Sequence, residues 1–359
     1  MAIPAIERDE DDSSWAHGTT LDAVPKRHQA LWEVLLRVFG RTPTATEIER
    51  WGAKVDEDVT AKLLLRQLVN SRPVRDVKHV RAKNPPGHFF SPVVDPDLVR
   101  DYVTMSRAAV TDGVPGIPFP VEEMEAFWAR NSEFIAATPF TAERTDDNRY
   151  YYGGGPYPIG DAMTLRAMIH DLRPRRIIEM GSGYSTACML DSAEHAGLED
   201  FHVTCIEPFP GRLHSVLRPD DIGTKVTLLE TTAQSVPLSV FQELQPNDIL
   251  FIDSTHVLKT GSDVHYQLFF LLPLLPPGVI VHVHDCRWPL EYSDKQIFAK
   301  NYSWNEVYGV RALLMFSNRY RVIFSGSFFA EKREAMVKET NPLFLRNAGS
   351  ALWFRVLGE

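Results

Sequence analysis

The sequence predicts an α/β protein with a doubly wound, Rossmann-like sheet, and three observations predict it. First, a short apolar run, Ile177-Ile178, follows Arg175-Arg176 and is cut by Glu179 and the Gly181-Ser182-Gly183 turn before a helix-compatible segment resumes at Tyr184. That order reads as buried strand, tight turn, helix start. Second, further short strands are expected at 202–206, 226–229, 248–252 and 278–283, alternating with helical segments, which is the pattern of a mostly parallel sheet covered by helices. Third, acids or histidines follow most of these runs: Glu207, Asp253, His256, His284 and Asp285. Ligands in open α/β sheets bind beyond the carboxyl ends of the strands.

The turn narrows the ligand. A dinucleotide fingerprint needs three glycines, G-x-G-x-x-G, so that a pyrophosphate can sit on the helix N-terminus. Here Thr186 stands at the third glycine. A carboxylate at Glu179, expected at the strand end, disfavours a diphosphate and favours a ligand with positive charge. S-adenosylmethionine carries a sulfonium and an ammonium and no phosphate. The pattern E-x-G-x-G resembles motif I of class I S-adenosylmethionine-dependent methyltransferases. Glu207 lies 28 residues beyond Glu179, at the tip of the next expected strand, where a carboxylate can accept both hydroxyls of a ribose. The expected donor-binding set is Glu179, Gly181, Ser182, Gly183, Ser185, Glu207, Gln234 and Asp253.

Composition sets the frame. The 359 residues are 44% apolar with a net charge of −9, enough for a packed core and unfavourable for a nucleic-acid backbone as main partner. No apolar run reaches membrane-spanning length, and the acidic stretch from Glu7 to Asp12 is the reverse of a signal peptide's basic start. A cytoplasmic protein without membrane contact is expected. Cys188, Cys205 and Cys286 lack metal or disulfide spacing and are read as reduced and buried.

In chain order, residues 1–25 are an expected disordered acidic tail. Leu31, Val34, Leu35 and Val38 share a helical face, Thr44 and Glu47 form a capping box, and Leu63 to Leu68 supply another stripe, so 26–80 is an expected small helical domain. It resembles a bacterial helical domain of unknown function. It is read mainly as an appended structural unit, with docking of a protein partner as the alternative. Residues 81–150 are proline-rich and read as a connecting arm, with a helix expected over 121–136. Tyr150-Tyr151-Tyr152 beside Gly153-Gly154-Gly155 is either a loop covering a ligand or a surface loop packed on the core. Asp161 is expected to cap a helix running to His170. Residues 151–359 form the expected catalytic domain.

NDILFIDSTHVLKTGSDV, PGVIVHVHD, WPLEY and SWNEVYGVRALL resemble a bacterial group of class I methyltransferases. The resemblance runs from about Phe89 to Phe354. It implies a seven-stranded sheet closed by an antiparallel hairpin, expected at 320–324 and 351–356, an arm at 81–150 near the substrate mouth, adenine contact around Thr231 to Ser235, and S-adenosylmethionine as methyl donor. Trp304-Asn305-Glu306, with Glu291, Tyr292 and Tyr308, would face an acceptor pocket. Such an aromatic wall with acid and amide groups suits a polyhydroxylated or amine-bearing small molecule.

Methyl transfer from a sulfonium needs reactants held in contact with water excluded, and a base where the nucleophile is a hydroxyl. The expected catalytic residues are His256 as base, with Asp285 and His284. For an isolated histidine, capping or backbone contact is the plainer role; its place among polar strand tips favours function. Related sugar and catechol O-methyltransferases use magnesium on oxygen ligands, and Asp253 and Asp285 are the residues that could hold a divalent metal here. His284 replaces one oxygen ligand, which suits a softer ion better. The expected function is methylation of oxygen, or with less support nitrogen, of a small molecule or glycan. An NAD-dependent oxidoreductase and a non-catalytic binding protein on the same fold are the alternatives.

Overall fold

The apolar runs become seven strands: β1 (Arg176–Met180), β2 (His202–Ile206), β3 (Val226–Leu229), β4 (Ile249–Ile252), β5 (Ile280–Val283), β6 (Tyr320–Ser325) and β7 (Leu352–Val356). The computed structural model describes residues 90–358 except 111 and 112, with positions 48, 84, 87 and 88. The chain divides into two compact units, Met1–Pro85 and Pro86–Glu359. The expected tail lies outside the described residues, as does the expected helical domain apart from Ile48, which is helical.

The strands form one sheet of order β3-β2-β1-β4-β5-β7-β6. The first five pair in parallel, and β7 runs antiparallel to both β5 and β6. Every residue of β4 and β5 is buried, as in parallel strands covered by helices on both faces. β1 lies between β2 and β4, where the strand order reverses, and this is where such sheets open a crevice at their carboxyl ends.

Two helices flank β1 in sequence, Ile159–Leu172 before it and Tyr184–His195 after it. Asp161 does not cap the first. The helix starts two residues earlier, and Asp161 is buried in its first turn, accepting the backbone N–H of Ser350 and Ala351. It thus ties that helix to the entry of β7. The helix expected over 121–136 is two helices, Val121–Arg130 and Ser132–Ala136. Asn131 breaks it, and its side-chain amide donates back to the carbonyl of Phe127 at 2.9 Å. Trp128 packs on Phe324, Phe329 and Phe344, which joins this region to the C-terminal strands.

Arg149 anchors the start of the tyrosine loop. Its buried guanidinium meets Asp191, Glu194 and Asp221 at 2.7–2.8 Å, and Asp191 also accepts the N–H of Tyr150. Tyr150 is core, and the Tyr151 hydroxyl lies 3.0 Å from that of Tyr184. The three cysteines are free and buried, as expected. Among the described residues, no helix is long and apolar enough to cross a membrane.

Candidate active site

The tips of β1, β2 and β4 are locked together by backbone. Gly181 donates to Ile206, and Asp253 donates to Met180. Gly181 has φ +83°, and a Cβ built there would lie 1.9 Å from the carbonyl oxygen of Asp253, so only glycine fits. Thr186 does what its place in the fingerprint did not foretell: its hydroxyl accepts the N–H of Gly183 at 3.0 Å and donates to Glu179. The turn is therefore closed by a side chain.

Glu179 corrects an expectation. It is fully buried beneath the turn, with hydroxyl donors from Ser185 and Thr186, and it does not line the cleft. Burial pushes its carboxyl up to about 7, against the hydrogen bonds that favour the charged form. Its work is to hold the glycine turn.

The other expected donor residues do converge. Gly181, Ser182, Gly183, Ser185, Glu207, Gln234 and Asp253 all line one cavity of about 500 Å³. The Glu207 carboxylate is oriented by the N–H of Ser182 at 3.1 Å and of Phe209 at 2.8 Å, one on each oxygen. Each oxygen keeps lone-pair capacity for a hydroxyl. Ser182 Oγ is buried without a hydrogen-bond partner among the described residues. Gln234 donates to the carbonyl of Gly261, joining the loops after β3 and β4. A cleft floored by glycine backbone, with an oriented carboxylate and an unpartnered hydroxyl, fits an adenosyl donor.

His256 sits behind this cleft, nearly buried, with φ +59°. Its Nδ1 meets Glu306 at 2.8 Å, and its Nε2 points between Asp253 at 3.4 Å and Asp285 at 3.6 Å. The Trp304 ring packs on the imidazole with centroids 4.3 Å apart. Burial alone would lower the histidine's pKa; hydrogen bonds to Asp253 and Glu306 outweigh it and raise it to about 10. Burial alone would raise Asp253, yet the charge of His284 and the His256 contact bring it down to about 2. In the free protein His256 is therefore an imidazolium among three carboxylates.

Asp253 and Asp285, the residues expected to hold a metal, both meet Nε2 of His256, at 3.4 and 3.6 Å. Among the described residues, no three His, Cys, Asp or Glu side chains are disposed to hold a metal ion. His284 is no open ligand either: it is buried, 3.8 Å from Asp161 and against the ring of Tyr157, and it lines neither cavity of the site. His282, on the same face of β5, is stacked on Phe251. Asp285 faces inward, accepting from Ser350 and Gln296 as well as meeting His256.

A second cavity of about 360 Å³ lies beyond Trp304. Trp304, Asn305, Glu291, Tyr292 and Tyr308 line it, as the acceptor-pocket expectation required, but Glu306 does not. Glu306 is buried, carrying His256 and also accepting from Gln267. The helix Pro96–Ala108 supplies the opposite wall, through Tyr102 and Val103, and Arg107 fixes that helix to the carbonyl of Tyr292 and to Asp294.

Sequence reasoning missed Tyr157, Phe209 and Arg212 in the donor cavity. Phe209 and Arg212 sit just past Glu207, so their nearness to that tip was the available signal. Nothing in sequence signalled Tyr157, which arrives from before β1.

The sheet order and the strand-tip cleft define a methyltransferase-type α/β protein. The profile of a family described as "Methyltransferase domain" matches residues 178–286, which span the glycine turn to the tip of β5. An uncharacterised protein of Archaeoglobus fulgidus is 30% identical over 173 residues, 46% of this chain and 75% of the relative. The chain belongs to the same family as that archaeal protein, and its residues 178–286 carry a methyltransferase domain. Solved structures with some likeness include the O-methyltransferase TomG from Streptomyces achromogenes, in complex with SAM, at 14% identity and TM-score 0.38, covering 74% of this chain and all of that one. The SAH-bound methyltransferase PaMTH1 of Podospora anserina is 16% identical at TM-score 0.37, covering 73% and 97%.

Proposed function

We propose that this enzyme transfers the methyl group of S-adenosylmethionine to a hydroxyl oxygen of a small molecule. The observation that carries the reading is the convergence of the glycine turn, Glu207 and Asp253 in one cavity, with the His256–Glu306 pair directly behind Asp253. When bound, the donor supplies a methyl group on a cationic sulfur. Glu207 would take the ribose hydroxyls, the turn from Gly181 to Ser185 with Gln234 would hold the remainder, and Asp253 would face the positive charge.

His256 is the base: its ring lies just behind the lining of both cavities, and Glu306 holds it with Nε2 toward Asp253, which lines the donor cavity. Asp253 holds the histidine's proton in the free protein, and a cation held beside that carboxylate would weaken this hold and favour the neutral, basic form. Nε2 then takes the acceptor's proton, and Glu306 stabilises the imidazolium that results. Asp285 positions Nε2 from the other side. His284 serves to support the strand tips.

The described part of the 81–150 arm lies at the acceptor mouth, a reading supported by the lining residues from the helix Pro96–Ala108. Residues 26–80, expected from sequence to form a small helical domain, are read as an appended unit. The protein works in the cytoplasm on small molecules, without nucleic acid.

Calorimetric titration with S-adenosylhomocysteine, then turnover of labelled donor in a metabolite extract, tests the proposal. Tight binding with label passing to a neutral small molecule is the expected result. Failure to bind the product while binding NAD would end it.

A further inference from the structure

We infer that the second cavity is a sugar-binding site, taking a neutral pyranose ring of the acceptor. Its role in methyl transfer rests on the function proposed above; the binding itself does not.

Tyr302 stacks on Trp304 with ring centroids 4.4 Å apart at 27°, and both rings line the cavity with Tyr102 and Tyr308, so that the outer side of Tyr302 is the platform. Tyr102, Tyr302 and Tyr308 are 65%, 44% and 44% exposed, unusual for rings clustered around one hollow. The C–H face of a pyranose lies flat on such a platform and gains area burial without needing a hydrogen bond from the ring beneath. A volume of about 360 Å³ is right for one sugar and its substituents.

An aromatic box with a carboxylate could also receive an ammonium ion. Here the Glu291 carboxylate already accepts the Tyr308 hydroxyl at 2.6 Å and its neighbour's N–H at 2.8 Å. Arg311 lines the same cavity, so the two charges balance and the lining suits a neutral ligand with several hydroxyls. A flat aromatic ligand would waste the ring of polar groups at its edge.

Trp304, which lines the cavity, packs on His256 with ring centroids 4.3 Å apart, and Gln296, which also lines it, donates to Asp285 at 3.3 Å. A ring held here is one side chain away from the proposed base.

Saturation-transfer NMR on the full chain without donor tests this, using methyl glucoside, galactoside, mannoside and rhamnoside, with glucosamine and catechol as competitors in kind. At least one methyl pyranoside is expected to bind, with saturation strongest on its ring C–H protons. Tyr302→Ala is expected to weaken that binding by about tenfold or more while S-adenosylhomocysteine affinity stays within about twofold, which also reports that the variant is folded. Binding by glucosamine or catechol alone, no binding by any pyranoside, or sugar binding unchanged in Tyr302→Ala would each overturn the inference. Because product affinity is measured on the same samples, loss of the sugar site leaves the methyltransferase reading standing, and failure to bind the product strikes that reading alone.

Discussion

Glu306 carries His256: its carboxylate meets Nδ1 at 2.8 Å, is buried with the imidazole, and leaves Nε2 aimed between Asp253 and Asp285. This orienter and base come from segments 50 residues apart, joined by the N–H groups of Asn305 and Glu306 on the His256 carbonyl. The pair has the logic of a base held in one tautomer by a buried acid.

The pair sets the pH dependence. Because the histidine's pKa is raised to about 10 in the free enzyme, its basic form grows as pH rises, and kcat/KM is expected to increase from pH ~7 toward ~10. Glu306→Gln removes the charge that raises the pKa, so the rise should move to lower pH, with a lower plateau. His256→Ala is expected to lose about 100-fold or more in turnover with product affinity retained. Rate profiles of the three proteins decide it; an unshifted profile in Glu306→Gln would sink the assignment.

Glu207→Ala is expected to weaken S-adenosylhomocysteine binding by about 1.5–3 kcal/mol for each charge-assisted bond lost. Calorimetry on wild type and variant measures it directly. Unchanged affinity would show that the ribose sits elsewhere.

Thr186→Val keeps the shape of a residue outside the cavity lining but removes the link between Gly183 and Glu179. It leaves a buried N–H unsatisfied, at a cost of about 1–3 kcal/mol in stability, and it should weaken product binding through a loosened turn. Denaturant unfolding and calorimetry read the two effects separately.

The Arg149 cluster predicts acid sensitivity. Burial would raise Glu194 and Asp221, but hydrogen bonds from Arg149 depress both, Glu194 to about 2. A depressed acid contributes stability above its unfolded pKa and loses it as pH falls toward the folded value. Asp191, raised by burial, offsets part of this. Tm is expected to drop between pH ~5 and ~2, and Arg149→Met to cost about 3–5 kcal/mol by stranding buried carboxylates. A flat Tm profile in that range would contradict the account.

Metal removal gives the last prediction. With both Asp253 and Asp285 paired to His256, and no three metal-ligating side chains grouped among the described residues, dialysis against a chelator is expected to leave turnover unchanged. Loss of activity restored by magnesium would show that those carboxylates rearrange around an ion.

Much of the fold was legible because each parallel strand is a short apolar run ending in a turn, and a strand tip can be located without knowing its neighbours. Glu207, Asp253 and the glycine turn could be placed together for that reason. Glu179 could not be oriented. In a parallel sheet both faces are covered, so alternation along Ile178-Glu179-Met180 does not separate core from cleft. Glu306 was legible only as part of a motif, since its partner depends on how two distant loops meet. Asp161 was misread as a cap because a buried acid serving the backbone of Ser350 and Ala351 has no local signature.

The contact between Gly181 and the Asp253 carbonyl bears on redesign. Even one methyl group at that glycine would push the fourth strand's end away from the first, so attempts to accept bulkier sulfonium analogues should leave the floor alone. Room is better sought at the rim, where Phe209 is 83% exposed and can be trimmed without disturbing the sheet.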